Sequence, residues 1–286
     1  MITTNAAKAG DQLEFKLDNG ISLLWRKAGS VLSGYPVDRM QKGWLLAAGN
    51  KVLDEEGTGF GVPIIKFKHE TVLPGDARLK IADQNGIHKL TATFILNLVK
   101  RKIIKGKPVK NKLFYRLNES FASVHRNVPE LRRIHSWLSH GLSNLGDIKS
   151  RLEMIDTSFM INVTYTIHPG NNLLHVSVDP GTLTNTRNTK LMMTNEQGAS
   201  YFNTYKDSDG VKLINERIGT WNPIFTEQAS FIDTRNGISF ALKNIPGVSM
   251  YRGRESETRQ LAWSGIAYEV PLNCGNFEYD ITLGSV

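Results

Sequence analysis

Cysteine is nearly absent from the sequence: Cys274 is the single one among 286 residues. One cysteine excludes an intrachain disulfide and every metal site that needs several thiolates. No apolar run approaches the roughly 18 residues that a membrane-spanning helix needs, so no membrane contact is expected. The first residues, MITTNAAKAGDQLEF, lack the basic start and apolar stretch of a secretory signal, which predicts a cytoplasmic protein.

Cofactor and metal motifs are missing as well. His135 and His140 are five residues apart, about 140° around a helix, whereas helical zinc motifs place two histidines four apart on one face. The glycine-rich stretch 57–61 precedes a predicted strand and not the helix N-terminus that cradles phosphate groups. The sequence therefore predicts neither a bound metal ion nor a cofactor.

Acidic residues are in the minority: 35 lysines and arginines stand against 27 aspartates and glutamates. Seven of the basic residues lie between Lys100 and Lys112, around a predicted hairpin end, with no acidic residue among them. This run predicts a patch that binds anions or docks an acidic partner through Arg101, Lys105, Lys107 and Lys110. The alternative is a solvated turn whose charges keep strand edges from aggregating. Nucleic acid is not expected, because no aromatic residue is interleaved as a stacking platform.

The sequence does contain clear turn signals between short alternating segments. Asn-Gly-Ile occurs three times, starting at Asn19, Asn85 and Asn236. Asn-Gly favours two-residue hairpin turns, since both residues tolerate positive φ. A fourth hairpin is predicted at residues 169–172, between the alternating segments INVTYTI and LLHVSVD. Apolar residues at every second position are typical of half-buried antiparallel strands.

One helix is expected to interrupt this pattern. Asn127 can cap its start, Pro129 suits the first turn, and Gly141 can end it. The sequence thus predicts an all-β fold, an antiparallel sandwich with a short helical insertion around residues 127–152. No long linker divides the chain, so we expect a single domain over residues 1–286, of which residues 1–58 are the least predictable.

The segment from residue 161 to 213 carries features in a specific order. Two strands are followed by Thr194-Asn195, then by Tyr201-Phe202-Asn203, and then by KDSDG. In this order the chain resembles the aldose 1-epimerases, or galactose mutarotases, over about a fifth of its length. The resemblance implies the galactose mutarotase-like β-supersandwich fold and a saccharide groove on one sheet, with Asn203 as a candidate ligand-binding residue.

The chain departs from the mutarotases where their chemistry is done. In that family a histidine follows Thr-Asn directly, lies two residues before Tyr-Phe-Asn, and protonates the ring oxygen of the sugar. Here Glu196 follows Thr194-Asn195, and Ala199 lies two residues before Tyr201. A second family histidine is expected further downstream, yet no histidine occurs after His175. The resemblance therefore implies the fold and a sugar groove without mutarotase activity.

A charged stretch near the C-terminal end supplies further candidate ligand-binding residues. Tyr251, Arg252 and Arg254 are interpreted as part of a loop, with Trp263 following it. Arginine recognises carboxylates in a planar, bidentate way, and aromatic rings stack on sugars, so this stretch is a candidate site for an acidic sugar. The alternative is a surface loop whose charges pair with one another.

Glu227 is the candidate for a catalytic acid, because it lies in the otherwise apolar segment NPIFTEQASF. Burial would raise the pKa of such a carboxylate, whereas the alternative is a charge at a strand edge. We expect a carbohydrate-binding protein that takes a sugar or glycan, including an acidic one. Two alternatives stay open: a carbohydrate-active enzyme with its own acid/base set, and an interaction protein that docks an acidic partner through the basic hairpin.

Overall fold

The computed structural model of the chain describes residues 12–26, 40–49, 51–53, 57–67, 70–84, 87–105, 149–181, 183, 189–213, 219–256, 262–272 and 275–285. The chain divides into two units, one formed by residues 1–98 with 154–286 and the other by residues 99–153. Of the second unit, the structure describes the backbone of residues 99–105 and 149–153, which are strand residues.

The described residues form two sheets. The first has four strands in the order β1-β2-β3-β4, namely β1 Gln12–Lys16, β2 Ile21–Arg26, β3 Leu45–Ala48 and β4 Lys51–Val52. The second consists of β5 Gly59–Phe67, β6 Glu70–Gln84, β7 Ile87–Lys105, β8 Lys149–His168, β9 Leu173–Asp179, β10 Thr189–Gly198, β11 Thr204–Asp207, β12 Gly210–Leu213, β13 Gly219–Ile224, β14 Gln228–Asp233, β15 Ile238–Lys243, β16 Ser249–Ser256, β17 Ala262–Val270 and β18 Phe277–Ser285. Its order is β12-β11-β14-β15-β18-β9-β8-β7-β6-β5-β10-β17-β16-β13.

Two of the three predicted Asn-Gly hairpins are confirmed, but their turns are longer than two residues. Strands β1 and β2 pair antiparallel, and the turn between Leu17 and Ile21 has Gly20 at φ +82°. Strands β14 and β15 pair up to Asp233 and Ile238, which leaves four residues that end at Gly237. A longer loop needs positive φ only at its glycine, so the asparagines serve as hydrogen-bonding residues instead. The Asn85-Gly86 turn lies outside the described residues.

The fourth predicted hairpin is also confirmed. Strands β8 and β9 pair antiparallel, and a 3-10 turn, Pro169–Asn171, joins them with Asn172 at φ +49°. Along β9 the side chains alternate between buried and half-buried, as expected for a strand with one face on the core.

One large core lies in the described part of the first unit, and a separate small apolar cluster is formed by Leu24, Leu45 and Ala47. The N-terminal sheet packs into the large core, where Trp25 and Trp44 meet edge to face at 5.5 Å and both contact Tyr165. Phe240 lies against Phe60 and Phe202 in the same core. Residues 1–58, the least predictable part of the sequence, therefore contribute a small sheet that buries large aromatic side chains.

The predicted fold class, an all-β antiparallel sandwich, is confirmed. The helical insertion is not seen: residues 127–148 lie outside the described residues, and residues 149–152 belong to strand β8. In the part of the chain that is described, no helix has the length and apolar character needed to cross a membrane.

Candidate functional site

The candidate site is built around strand β10, whose residues 191–198 are all buried. Leu191 and Met193 belong to the main core, so the alternation of the strand turns Met192, Thr194 and Glu196 to the opposite side. We call this side the outer face. The register of the neighbouring strands assigns to it the side chains Trp263 and Glu269 of β17, Tyr251 of β16, and Trp221 and Pro223 of β13.

Two glycines form the floor of the outer face. Gly253 of β16 and Gly265 of β17 are partners in the strand register. A Cβ at Gly265 would lie 2.8 Å from Cγ of Glu196, and a Cβ at Gly253 would lie 2.5 Å from the ring of Trp263. Real Cβ atoms do not come so close, so only glycine permits this packing. The two glycines thus bring a carboxylate and an aromatic pair side by side.

Glu196 is held by the glycine-rich stretch 57–61. The backbone N–H of Thr58 donates to Oε2 of Glu196 at 3.0 Å, and the Thr58 hydroxyl lies 3.2 Å from that of Thr194. Gly59, at φ +86°, is the register partner of Glu196 at a point where the β5–β10 pairing shifts. The stretch leads into strand β5, as predicted, and supplies a backbone donor to a buried carboxylate.

Trp221 and Trp263 form the aromatic part of the outer face. Their ring centroids are 4.7 Å apart and their planes differ by 32°. Trp263 is buried with 8% exposure, whereas Trp221 is half-buried. Trp221 therefore covers Trp263 and is the indole that an incoming ligand can contact.

A polar group marks the other end of the outer face. Glu269 Oε2 accepts hydrogen bonds from the Tyr251 hydroxyl at 2.9 Å and from Lys190 Nζ at 2.7 Å. Burial and the bond to Glu269 raise the pKa of Tyr251, and the same carboxylate raises the pKa of Lys190. Tyr251 is thus a neutral donor and Lys190 a charged one at physiological pH.

The core side of β10 carries two amides that bond mainly to the backbone. Asn195 Oδ1 accepts from the Gly61 N–H at 2.9 Å and from the Tyr279 hydroxyl at 3.1 Å. Gln197 Nε2 donates to the Trp44 carbonyl at 3.1 Å. Burial raises the pKa of Tyr279, which keeps its hydroxyl protonated as a donor. These amides fix the backbone that presents Glu196.

The loop predicted around the arginines is wrong: residues 249–256 form strand β16. Alternation separates Arg252 and Arg254 from Tyr251, because consecutive strand residues point to opposite faces. Arg252 lies over the Tyr205 ring, 4.5 Å from its centroid, and 3.5 Å from Oδ2 of Asp207. Arg254 donates to the Ala199 carbonyl at 3.2 Å, and burial lowers the pKa of its guanidinium. Their ligand-binding role stays a prediction.

Glu227 and Asn203 are not among the side chains that the strand register assigns to the outer face. Glu227 is exposed between β13 and β14, so the burial that would make it an acid is not found. Asn203 is half-buried, and its Oδ1 accepts from the Thr204 hydroxyl at 3.3 Å. The side chains of Arg101 and Lys105, together with Lys107 and Lys110, lie outside the described residues. Docking of an acidic partner by this basic run stays a prediction.

Sequence reasoning found Tyr251 and Trp263, which the structure places on the outer face with Glu196. It treated Glu196 only as a departure from a motif and gave Trp221 no role. Gly253 and Gly265 were a usable signal, because a glycine inside a strand often marks a close approach of another group.

The chain is an all-β protein, and the outer face of its sheet carries carboxyl groups beside aromatic side chains. No protein family and no curated protein matches the sequence. Among solved structures, HI1317 is similar over 99% of this chain and 100% of its own, with 8% identity and a TM-score of 0.38. A protein in the glycosyl hydrolase family 38 from Enterococcus faecalis is similar over 99% of this chain, with 9% identity and a TM-score of 0.35. The match spans only 30% of that longer protein. These scores establish no family.

Proposed function

We propose that the chain binds a saccharide on its outer face, across the glycine floor between Glu196 and Trp221. The observation that carries the proposal is a buried carboxyl group against Gly265 and a half-exposed indole against Gly253, the register partner of Gly265. A pyranose ring offers an apolar C–H face that packs on an aromatic ring and hydroxyls that donate to a carboxylate. Few polar groups placed in an apolar setting are typical of small-molecule sites.

A neutral sugar fits the outer face better than an acidic one. Arg252 and Arg254, which would pair with a sugar carboxylate, lie on the opposite side of β16. The outer face itself contributes the carboxyl groups of Glu196 and Glu269, which bond to the Thr58 N–H and to Lys190 respectively. A uronic acid would bring a further carboxylate close to these two groups.

Calorimetric titration against a panel of neutral and uronic sugars tests the proposal. We expect binding of at least one neutral sugar, with a loss of about tenfold or more, ~1.4 kcal/mol, in Trp221→Ala and in Glu196→Gln. Glutamine keeps an acceptor for the Thr58 N–H, so the second variant is expected to fold. Glu227→Gln, an exposed carboxylate off the outer face, is the matched control and should bind as the wild type does. The absence of binding across the panel would refute the proposal.

A second candidate function is a carbohydrate-active enzyme that uses Glu196 as its acid or base. Glu196 occupies the place after Thr194-Asn195 where the resembled mutarotases have a histidine, and its side chain is buried. A carboxylate in such a position can transfer a proton to or from a bound sugar. Proton NMR of each bound sugar would detect turnover. If Glu196 is the catalytic acid or base, Glu196→Gln abolishes turnover and Glu227→Gln does not.

A further inference from the structure

Phe225 is a large aromatic residue that does not contribute to the core. It directly follows strand β13, which ends at Ile224, and its side chain is 96% exposed. An aromatic ring left in water contributes no burial energy to the fold, although burying it would be worth about 2 kcal/mol. A single exposed apolar residue is ordinary on a protein surface, so the significance of Phe225 depends on whether it continues a larger apolar row.

Phe225 lies one residue beyond the strand that carries Trp221. Ile224 pairs with Met250, which is 2% exposed and belongs to the core, and Ile224 packs against that core. Pro223 pairs with Tyr251, on the outer face. Alternation therefore directs Trp221 and Pro223 outward, and Phe225, between the core-packed Ile224 and the buried Thr226, continues this row one residue past the end of β13.

The backbone at Phe225 is fixed although its side chain is exposed. The neighbouring Thr226 is buried, accepts from the Ser208 N–H at 3.0 Å and donates to the Gln228 carbonyl at 3.0 Å. A ring on an anchored backbone loses less conformational freedom on binding than one on a loose loop. In the described part of the sheet β13 is an end strand that pairs only with β16, so its free edge borders this row.

The distance between the two ends of the row formed by Trp221, Pro223 and Phe225 indicates the size of ligand that could contact all of it. Trp221 and Phe225 are four residues apart along an extended backbone, which is about 13 Å. A single pyranose ring is too small to contact both. We propose that the outer face binds a saccharide chain rather than a single sugar, with one ring over Trp221 and a later ring against Phe225. This inference rests on the proposed function.

Titration with saccharides of increasing length tests the inference. The probes are glucose, mannose, galactose and xylose, each with its linear oligosaccharides. We expect wild-type affinity to rise with chain length, and Phe225→Ala to lower affinity for the long chains by about tenfold, ~1.4 kcal/mol, without changing affinity for the monosaccharide. Trp221→Ala should lower both. Because Phe225 is exposed, its alanine variant is expected to fold normally.

Phe159→Ala provides the matched control. Phe159 is 47% exposed on β8, four positions from β10 in the strand order, and its loss should change no affinity. The inference is overturned if affinity does not depend on chain length, or if Phe225→Ala binds long chains like the wild type. In either case the proposed function still stands, provided that the wild type binds a monosaccharide and Trp221→Ala loses that binding. If no probe of any length binds the wild type, the proposed function and the inference both fall.

Discussion

The two sides of strand β10 use buried polar groups in different ways. On the core side, Asn195 and Gln197 bond mainly to backbone groups of neighbouring strands. On the outer face, Glu196 lies over a glycine floor beside two stacked indoles. A buried polar residue that only supports a fold needs no aromatic neighbour and no glycine floor. The comparison therefore sets two amides that hold the sheet together against a carboxyl group that also bonds to the backbone, through the Thr58 N–H, and for which we propose a ligand.

The largest expected effect on stability comes from the core side. Asn195→Leu leaves the Gly61 N–H and the Tyr279 hydroxyl without their buried acceptor. We expect the free energy of unfolding to fall by about 3 kcal/mol, since each unsatisfied buried group costs roughly 1–3 kcal/mol. Urea denaturation measures this loss. Tyr279→Phe, which removes one donor, should cost only ~1 kcal/mol. A loss in Asn195→Leu no greater than in Glu196→Gln would contradict the comparison.

The glycine floor is expected to respond next. Gly253→Ala would place its Cβ 2.5 Å from Trp263, so the indole pair has to move. Overpacking of this kind costs about 1–3 kcal/mol, and we also expect a shift in tryptophan fluorescence and weaker saccharide binding. Gly170→Ala is the control, because its Cβ would meet only an ordinary contact, 3.6 Å from Asp18. Unchanged fluorescence in Gly253→Ala would show that the floor does not position the tryptophans.

The smallest expected effect is on stability at alkaline pH, through the hydrogen bonds at the polar end of the outer face. The pKa values of Lys190 and Tyr251 are raised in the folded chain, and both groups bond to Glu269. A raised folded pKa gives stability that is fully present below the unfolded pKa, about 10 for both groups, and is lost as pH rises through the folded value. Because Lys190 is largely exposed, the contribution is a few tenths of a kcal/mol. Denaturation from pH 8 to 11 should show a shallower alkaline decline in Glu269→Gln than in the wild type; an equal decline would exclude the coupling.

The fold was predictable because its signals are local. The alternation of residues 161–167 and the turn that follows specify a hairpin within about twenty residues of sequence, and β8 and β9 form it. The turn lengths were not predictable from Asn-Gly alone, since side-chain bonds such as Asp233 Oδ1 to the Arg235 N–H select a longer loop.

The candidate site was harder to predict because it depends on register between distant strands. Glu196, Gly265 and Gly253 meet only after β10, β17 and β16 pair side by side. Charged residues and a glycine, which are poor strand formers, made residues 251–254 resemble a loop, and pairing with β17 overrides that local preference. Sequence reasoning thus grouped Arg252 with Tyr251, whereas the strand places them on opposite faces.

The most direct test of saccharide binding on the outer face is to locate a bound sugar. A crystal structure of the chain with the tightest-binding sugar from the titration panel would show it. We expect a sugar ring parallel to the indole of Trp221, with a hydroxyl within hydrogen-bond distance of the Glu196 carboxylate. A sugar bound away from the outer face, for example beside Arg252 and Asp207 on the opposite side of β16, would contradict it.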